Sequence, residues 1–239
     1  MNIFAHRGYS MLYPENTLQA FRKALEYGCH GIECDVQLTG DNQIVILHDE
    51  TIDRLANGKG YVKDFTYEEL TKFNFGRPRP RAGEFHRLPR LADLLELLKD
   101  GHENIILNIE LKNSEVPYPG LEEMVLAEVA KYDLPNEIIY SSFNHDSIKY
   151  LNRMNPDLKT APLIGRRRPD LIDYVKSLGS KGVHTALGCV DEISLKKVLE
   201  AGLFINIYTI NDINVARKLK QHGVSGIFTD SCREFMEGL

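Results

Sequence analysis

Two short stretches concentrate groups able to move protons and hold a divalent ion: Ala5-His6-Arg7-Gly8, and Glu33-Cys34-Asp35 followed by His48-Asp49. Each histidine ends an apolar, strand-like run, and the two carboxylates stand two residues apart. Alternate residues of a strand point to the same side, so Glu33 and Asp35 share one face while Cys34 looks the other way. Two histidines and two co-facing carboxylates at strand ends suit metal-assisted acid–base chemistry. The pattern recurs in Asn108-Ile109-Glu110-Leu111-Lys112, where Glu110 and Lys112 share a face. A third carboxylate joining Glu33 and Asp35 gives three oxygen donors with room for water and substrate oxygens. That set suits Mg²⁺ or Ca²⁺ better than zinc, and no HExxH or CxxC spacing is present. Arg7 and Lys112, the inward cations of the cluster, read as phosphate clamps, one bidentate and one a point charge. His6 and His48 would divide the proton work, one activating a nucleophile and one protonating a leaving alkoxide. Each such role is worth about a hundred- to ten-thousandfold.

These residues need strands to carry them. Apolar, often β-branched runs read as strands at Ile3–His6, Gly31–Leu38, Ile44–His48, Ile105–Leu111, Ile138–Ser142, Thr160–Ile164, Gly182–Thr185, Phe204–Ile210 and Gly226–Thr229. Helical spacing begins after Pro14 and Asn16, with Leu18, Phe21, Ala24 and Leu25 as its stripe and Gly28 as its stop. Further helices read as Leu91–Lys99, Leu121–Lys131, Ser147–Met154, Leu171–Leu178, Ile193–Ala201 and Ile213–His222. Only residues 39–43 separate the second strand from the third. A parallel crossover needs about a dozen residues, so this pair is an antiparallel hairpin. Folding it about Gly40–Asn42 brings His48 close to Asp35. Eight parallel strands remain, alternating with helices, which predicts an α/β (β/α)8 TIM barrel. A doubly wound open sheet is the alternative, disfavoured by the strand count and by the lack of a GxGxxG turn. Residues 50–90, rich in Gly, Pro and Arg, interrupt the rhythm and read as an excursion over the barrel mouth, with a short helix at Tyr67–Lys72.

The 239 residues fit one domain, 43% hydrophobic and 26% charged. No apolar run reaches the roughly 20 residues that span a bilayer, so no stable membrane insertion is expected. The net charge of −5 argues against nucleic acid and leaves a small anionic substrate, provided that cations offset the acidic background. The chain starts directly with a strand, without signal-peptide features, and its four cysteines show no framework spacing. Both point to reduced thiols and a cytoplasmic location. No motif specifies an oligomeric state.

The ordered set His6-Arg7-Gly8, Pro14-Glu15-Asn16-Thr17, Gly31-Ile32-Glu33-Cys34-Asp35-Val36, His48-Asp49, Leu88-Pro89-Arg90-Leu91, Ile109-Glu110-Leu111-Lys112, Ser142-Phe143 and Gly226-Ile227-Phe228-Thr229-Asp230 resembles the glycerophosphodiester phosphodiesterase family. The resemblance runs from residue 3 to about residue 230. It implies a TIM barrel with a small insertion after His48-Asp49, and hydrolysis of glycerophosphodiesters to glycerol 3-phosphate and an alcohol. It further implies one divalent cation on Glu33, Asp35 and Glu110, His6 and His48 as the acid–base pair, and Arg7 and Lys112 on the phosphate. Glu15 and Asn16 would lie near the site, and Phe143 and Tyr208 would form a substrate wall. Where the family often carries Trp-Thr-Val-Asn, this chain has Tyr208-Thr209-Ile210-Asn211 and no Trp at all, which bears on the headgroup and glycerol preference. A lysophospholipase D-type activity on the same scaffold and a non-catalytic phosphoester-binding barrel are the rival readings. The attacking group is water or a glycerol hydroxyl, the latter giving a transient cyclic phosphate.

Several residues also have purely structural readings. Glu15, Asn16 and Thr17 make a good helix start. Asp49 reads as an orienting or loop-fixing residue rather than a metal ligand, Cys34 as core packing, and Phe143 and Tyr208 as packing or wall. Arg166-Arg167-Arg168 and the insertion's Arg77, Arg79, Arg81, Arg87 and Arg90 read chiefly as solvated charge. His145 and His184 sit at the active end without an assigned role. His30, His86, His102 and His222 read as structural or surface.

Overall fold

The computed structural model describes every residue except 77–83, 100, 103, 133, 135 and 136. The strands are β1 (Asn2–Ala5), β2 (Gly31–Leu38), β3 (Ile44–Ile46), β4 (Ile106–Leu111), β5 (Ile138–Ser142), β6 (Lys159–Ile164), β7 (Gly182–Ala186), β8 (Phe204–Tyr208) and β9 (Gly226–Thr229). Their order is β1-β9-β8-β7-β6-β5-β4-β2-β3, and a further β1–β2 pairing closes eight parallel strands into a barrel. β3 lies outside that circle, antiparallel to β2, with Val36 opposite Ile46 and Leu38 opposite Ile44. The fold is therefore the expected (β/α)8 barrel with its extra hairpin strand.

The helices are α1 (Leu18–Glu26), α2 (Tyr67–Leu70), α3 (Leu91–Lys99), α4 (Leu121–Val129), α5 (His145–Met154), α6 (Leu171–Ser177), α7 (Glu192–Glu200), α8 (Ile213–Gln221) and α9 (Cys232–Gly238). None of them is long and apolar enough to cross a membrane among the described residues. α9 is absent from the sequence reading. Its apolar residues are Cys232, Phe235 and Met236, too sparse for a legible stripe, and it is fixed by Phe235 and Cys232 buried against the barrel. The third strand is also shorter than expected, Ile44–Ile46, although one cross-strand bond to β2 continues past it. The Ile46 N–H goes to the Pro89 carbonyl (2.8 Å), and the Leu47 N–H goes to that of Asp35 (3.0 Å).

Period-two alternation in β2 explains the layering. Ile32, Cys34, Val36 and Leu38 pack outward against α1 and α3 residues such as Phe21, Ala24, Leu94 and Leu98. Phe4, Ile139, Ala161 and Phe228 form a separate apolar cluster. A Cβ on Gly31 would strike the Phe4 ring, so only glycine fits at the start of β2. The segment after β3 is less open than its composition suggests. Ile52, Leu55, Val62, Leu70, Phe75 and Leu88 bury themselves around Val45 and Leu47. Arg77, Arg79 and Arg81 lie outside the described residues; Arg87 is exposed, and Arg90 bonds Asp93 at the start of α3.

Candidate active site

Strand register assembles the acidic cluster. β2 and β4 align Asp35 with Glu110 and Glu33 with Asn108, so both inward carboxylates of β2 meet the one of β4. One oxygen from each of Glu33, Asp35 and Glu110 lies within 4.8 Å of the others. Glu33 Oε1 and Asp35 Oδ1 are buried and have no hydrogen-bond partner. Orphaned anionic oxygens are costly in a protein interior unless a cation meets them, and three hard oxygens in one place form a fitting donor set for a divalent ion. Burial pushes the Glu33 carboxyl well up, and repulsion from Asp35 and Glu110 adds to it. Glu110 moves up for the same two reasons, with Lys112 opposing. For Asp35, burial is outweighed by Arg7, His48, Lys112 and Asn16, so its carboxyl is held low.

The cations arrive from two strand ends. Lys112, 9% exposed, sets Nζ 3.2 Å from Glu110 Oε1. Arg7 adopts a left-handed backbone (φ 56°), which costs a non-glycine residue about 1–2 kcal/mol. The return is a double engagement. Its N–H donates to Glu33 Oε2 (2.8 Å) while its guanidinium bonds Glu15 Oε1 (2.8 Å) and stands 3.4 Å from Asp35 Oδ2. The next residue must be glycine, because a Cβ on Gly8 (φ 79°) would come within 2.7 Å of the Ala20 backbone. Asn16 and Thr17 divide the two roles assigned to their motif. Thr17 Oγ1 caps α1 by accepting from the Ala20 N–H (3.2 Å), whereas Asn16 Nδ2 donates to Asp35 Oδ2 (2.8 Å).

Both histidines are backed by an aspartate. His6 Nδ1 lies 2.7 Å from Asp230 Oδ1, and His48 Nδ1 lies 2.8 Å from Asp49 Oδ1. A carboxylate at Nδ1 fixes that nitrogen as the donor and leaves Nε2 free for proton exchange. Burial works against the charge of both aspartates, but the bonds from the histidines keep each below the usual carboxylate range. Arg54 adds to this at Asp49, and Asn211 and Ser10 at Asp230. Of the two readings of Asp49 from sequence, orienting or loop-fixing, its bond to His48 Nδ1 is the geometry of the first. Arg54 and Asp230 were not assigned a role there. Arg54 comes from the insertion as a third cation beside the cluster, bonded to Glu15 and Asp49. Asp230 closes the Gly226–Asp230 motif, but its partner His6 lies 224 residues away, and Arg54, although five residues from Asp49, reaches Glu15 across 39.

His6, His48, Arg7, Glu33 and Glu110 line one cavity of about 170 Å³, together with Phe143, Tyr208, Asn108 and His184. Phe143 and Tyr208 meet edge-to-face at 6.2 Å and form an aromatic wall. Burial pushes the Tyr208 hydroxyl up, with Glu110 contributing, and that hydroxyl has no partner. Burial drives His184 down to about 3, so it is a neutral wall residue. Its Nε2 pairs with Asn206 (3.2 Å). His145 is occupied by Tyr174 Oη (2.6 Å) and the Leu163 carbonyl (2.9 Å). Arg167 and Arg168 pair with Asp191 and Asp170.

The sequence matches the model of the glycerophosphoryl diester phosphodiesterase family over residues 6–234. It is 45% identical over 228 residues to a glycerophosphodiester phosphodiesterase of Caldanaerobacter subterraneus subsp. tengcongensis, covering 95% of this chain and 93% of that protein. A glycerophosphodiester phosphodiesterase of Bacillus altitudinis is 36% identical over 233 residues, covering 95% and 94%. The fold resembles that of an Oleispira antarctica phosphodiesterase solved with the product sn-glycerol-3-phosphate, with a TM-score of 0.89, 28% identity, and 99% and 96% of the two chains covered.

Proposed function

The chain belongs to the glycerophosphoryl diester phosphodiesterase family and is an enzyme of that kind, and from this we propose that it hydrolyses glycerophosphodiesters to glycerol 3-phosphate and an alcohol at a divalent cation on Glu33, Asp35 and Glu110. The observation that carries the metal centre is the pair of buried, partnerless oxygens in that cluster, flanked by two aspartate-backed imidazoles. When bound, the ion offsets phosphoryl charge and orients the glycerol oxygens. Arg7 and Lys112 stabilise charge that grows on the phosphoryl oxygens. One imidazole takes the proton of the nucleophile through Nε2, and the other delivers a proton to the departing alkoxide. Glu15 and Asn16 keep Arg7 and Asp35 in place, and Phe143 and Tyr208 face the substrate's organic part. The chain acts as one domain, with the described residues of the insertion at about 50–90 lying over the barrel mouth; the packing of Ile52, Leu55, Val62, Leu70, Phe75 and Leu88 on β3 and the reach of Arg54 to Glu15 support this. A cytoplasmic setting accords with four free, buried cysteines.

Turnover of glycerophosphocholine tests the reading. Glycerol 3-phosphate appears with Mg²⁺ or Ca²⁺, and EDTA stops its formation. Lysophosphatidylcholine reacts at least about tenfold more slowly, because a cavity of about 170 Å³ has no volume for a long acyl chain beside the glycerophosphoryl group. Activity that survives full chelation removes the ion; faster cleavage of the acylated substrate favours the lysophospholipase D-type alternative.

The raised carboxyls also couple ion binding to pH. In the metal-free fold Glu33 and Glu110 release their protons at higher pH than their unfolded counterparts do. Between the ordinary carboxylate range and the raised folded values, the native state binds more protons. Metal-free stability therefore falls as pH rises through this window. Ion binding displaces those protons, so affinity climbs with pH. At about a hundred times Kd, the ion adds about 2.7 kcal/mol. For a chain of this size that is a rise of about 5–10 °C in Tm, larger at the upper end of this window than at its lower end at fixed ion concentration. A pH-independent rise in a melting series rejects protonated carboxyls in the metal-free cluster.

A further inference from the structure

His48 stands two residues beyond β3, the only strand outside the closed barrel among the described residues. Its neighbours' backbone is tied down: Gln37 Nε2 donates to the carbonyls of Leu47 and Asp49, each at 2.8 Å. That leaves the Asp49 side chain, 25% exposed, to be fixed by something else if it is to orient the imidazole. Arg54 does this with both edges of its guanidinium. Nε and Nη2 donate to Asp49 Oδ2 (2.7 Å) and Oδ1 (2.9 Å), while Nη1 and Nη2 donate to Glu15 Oε2 (2.9 Å) and Oε1 (2.8 Å). Glu15 is 4% exposed and is itself held by Arg7, so one end of this bridge is anchored on the β1–α1 connection.

We propose that Arg54 is a positioning residue for phosphodiester cleavage, locking the His48–Asp49 pair of the outer hairpin to the Glu15–Arg7 pair of the barrel. The proposal rests on the phosphodiesterase reading. Without the guanidinium, Asp49 and Glu15 become two carboxylates facing one gap, and repulsion turns Asp49 away from His48 Nδ1. A lysine cannot take its place, because a point charge lacks the planar fork that serves both carboxylates at once.

The test is a double-mutant cycle on glycerophosphocholine turnover with Arg54→Met, Asp49→Asn and the double variant, with melting curves on each. Arg54→Met lowers kcat by about 10- to 100-fold, with KM changed less than about threefold. In the Asp49→Asn background the same change costs less than about threefold, because its route to His48 is already broken. Arg54→Lys, run through the same cycle, loses nearly as much as Arg54→Met and stands in for it if Arg54→Met does not fold. An equal factor in both backgrounds, or a loss below about threefold in the wild-type background, overturns the positioning role. An inactive wild-type enzyme would instead overturn the phosphodiesterase reading itself.

Discussion

Glu33→Gln lowers kcat/KM for glycerophosphocholine by at least about a thousandfold, a loss of about 4 kcal/mol in transition-state stabilisation. Glu33 gives one oxygen to the Arg7 N–H and leaves the other buried and partnerless beside Asp35 and Glu110. The amide keeps the bond from Arg7 but removes one of three negative charges from the donor set. It also aims an NH₂ where the ion belongs. A divalent ion supplies several kcal/mol of charge stabilisation in such sites, so a weakened ion accounts for a loss of this size.

The same substitution stabilises the metal-free protein. Burial and repulsion from Asp35 and Glu110 make the Glu33 charge unfavourable, and a neutral amide of equal size relieves both. Tm of the metal-free variant at about pH 8 should exceed that of the wild type by at least about 2 °C. Ion-induced stabilisation should be largely lost. Opposite signs for activity and stability mark a functional site built at the expense of the fold. Activity within about tenfold of wild type, or a destabilised metal-free variant, rejects Glu33 as an ion-binding carboxylate whose charge is uncompensated.

How much of this could be read from sequence follows from how local each cause is. Strand alternation is local, so the co-facing of Glu33 with Asp35 and of Glu110 with Lys112 was legible from spacing alone. The five-residue link after β2 sufficed to place β3 antiparallel and to bring His48 near Asp35. Register between β2 and β4 is not local, yet it follows once the barrel closes with the carboxylates inward. Arg54 and Asp230 were illegible for a different reason. Asp230 meets His6 across 224 residues, and Arg54, although only five residues from Asp49, joins it to Glu15 across 39. Arg54 has no spacing that distinguishes it from surface charge, and the motif that ends in Asp230 does not say which side chain that carboxylate meets. α9 carries too few apolar residues to show a stripe, and the packing of Cys232 and Phe235 rather than periodicity makes it a helix. The double duty of Pro-Glu-Asn-Thr resolves only in three dimensions, where Thr17 caps and Asn16 turns inward to Asp35.

His6→Ala and His48→Ala each lower kcat for glycerophosphocholine by about a hundred- to ten-thousandfold and leave the fold intact. Their side chains are 20% and 33% exposed, so neither truncation opens a core cavity. The two losses have different origins, and the leaving group separates them. A choline alkoxide needs a proton as it departs, whereas a nitrophenolate leaves as a stable anion. For glycerol 3-(4-nitrophenyl phosphate), the variant lacking the general acid therefore recovers to within about tenfold of wild type. The variant lacking the general base keeps its full deficit, because its nucleophile still carries the proton. One histidine variant recovering while the other does not assigns the roles. Recovery of both, or near-wild-type turnover of either on glycerophosphocholine, rejects the division of labour. The aspartates behind the imidazoles make this division workable. With Nδ1 of each ring held by Asp230 or Asp49, each imidazole exchanges its proton through Nε2 alone. A barrel with two such rings at one cavity can thus keep one poised to accept a proton while the other donates.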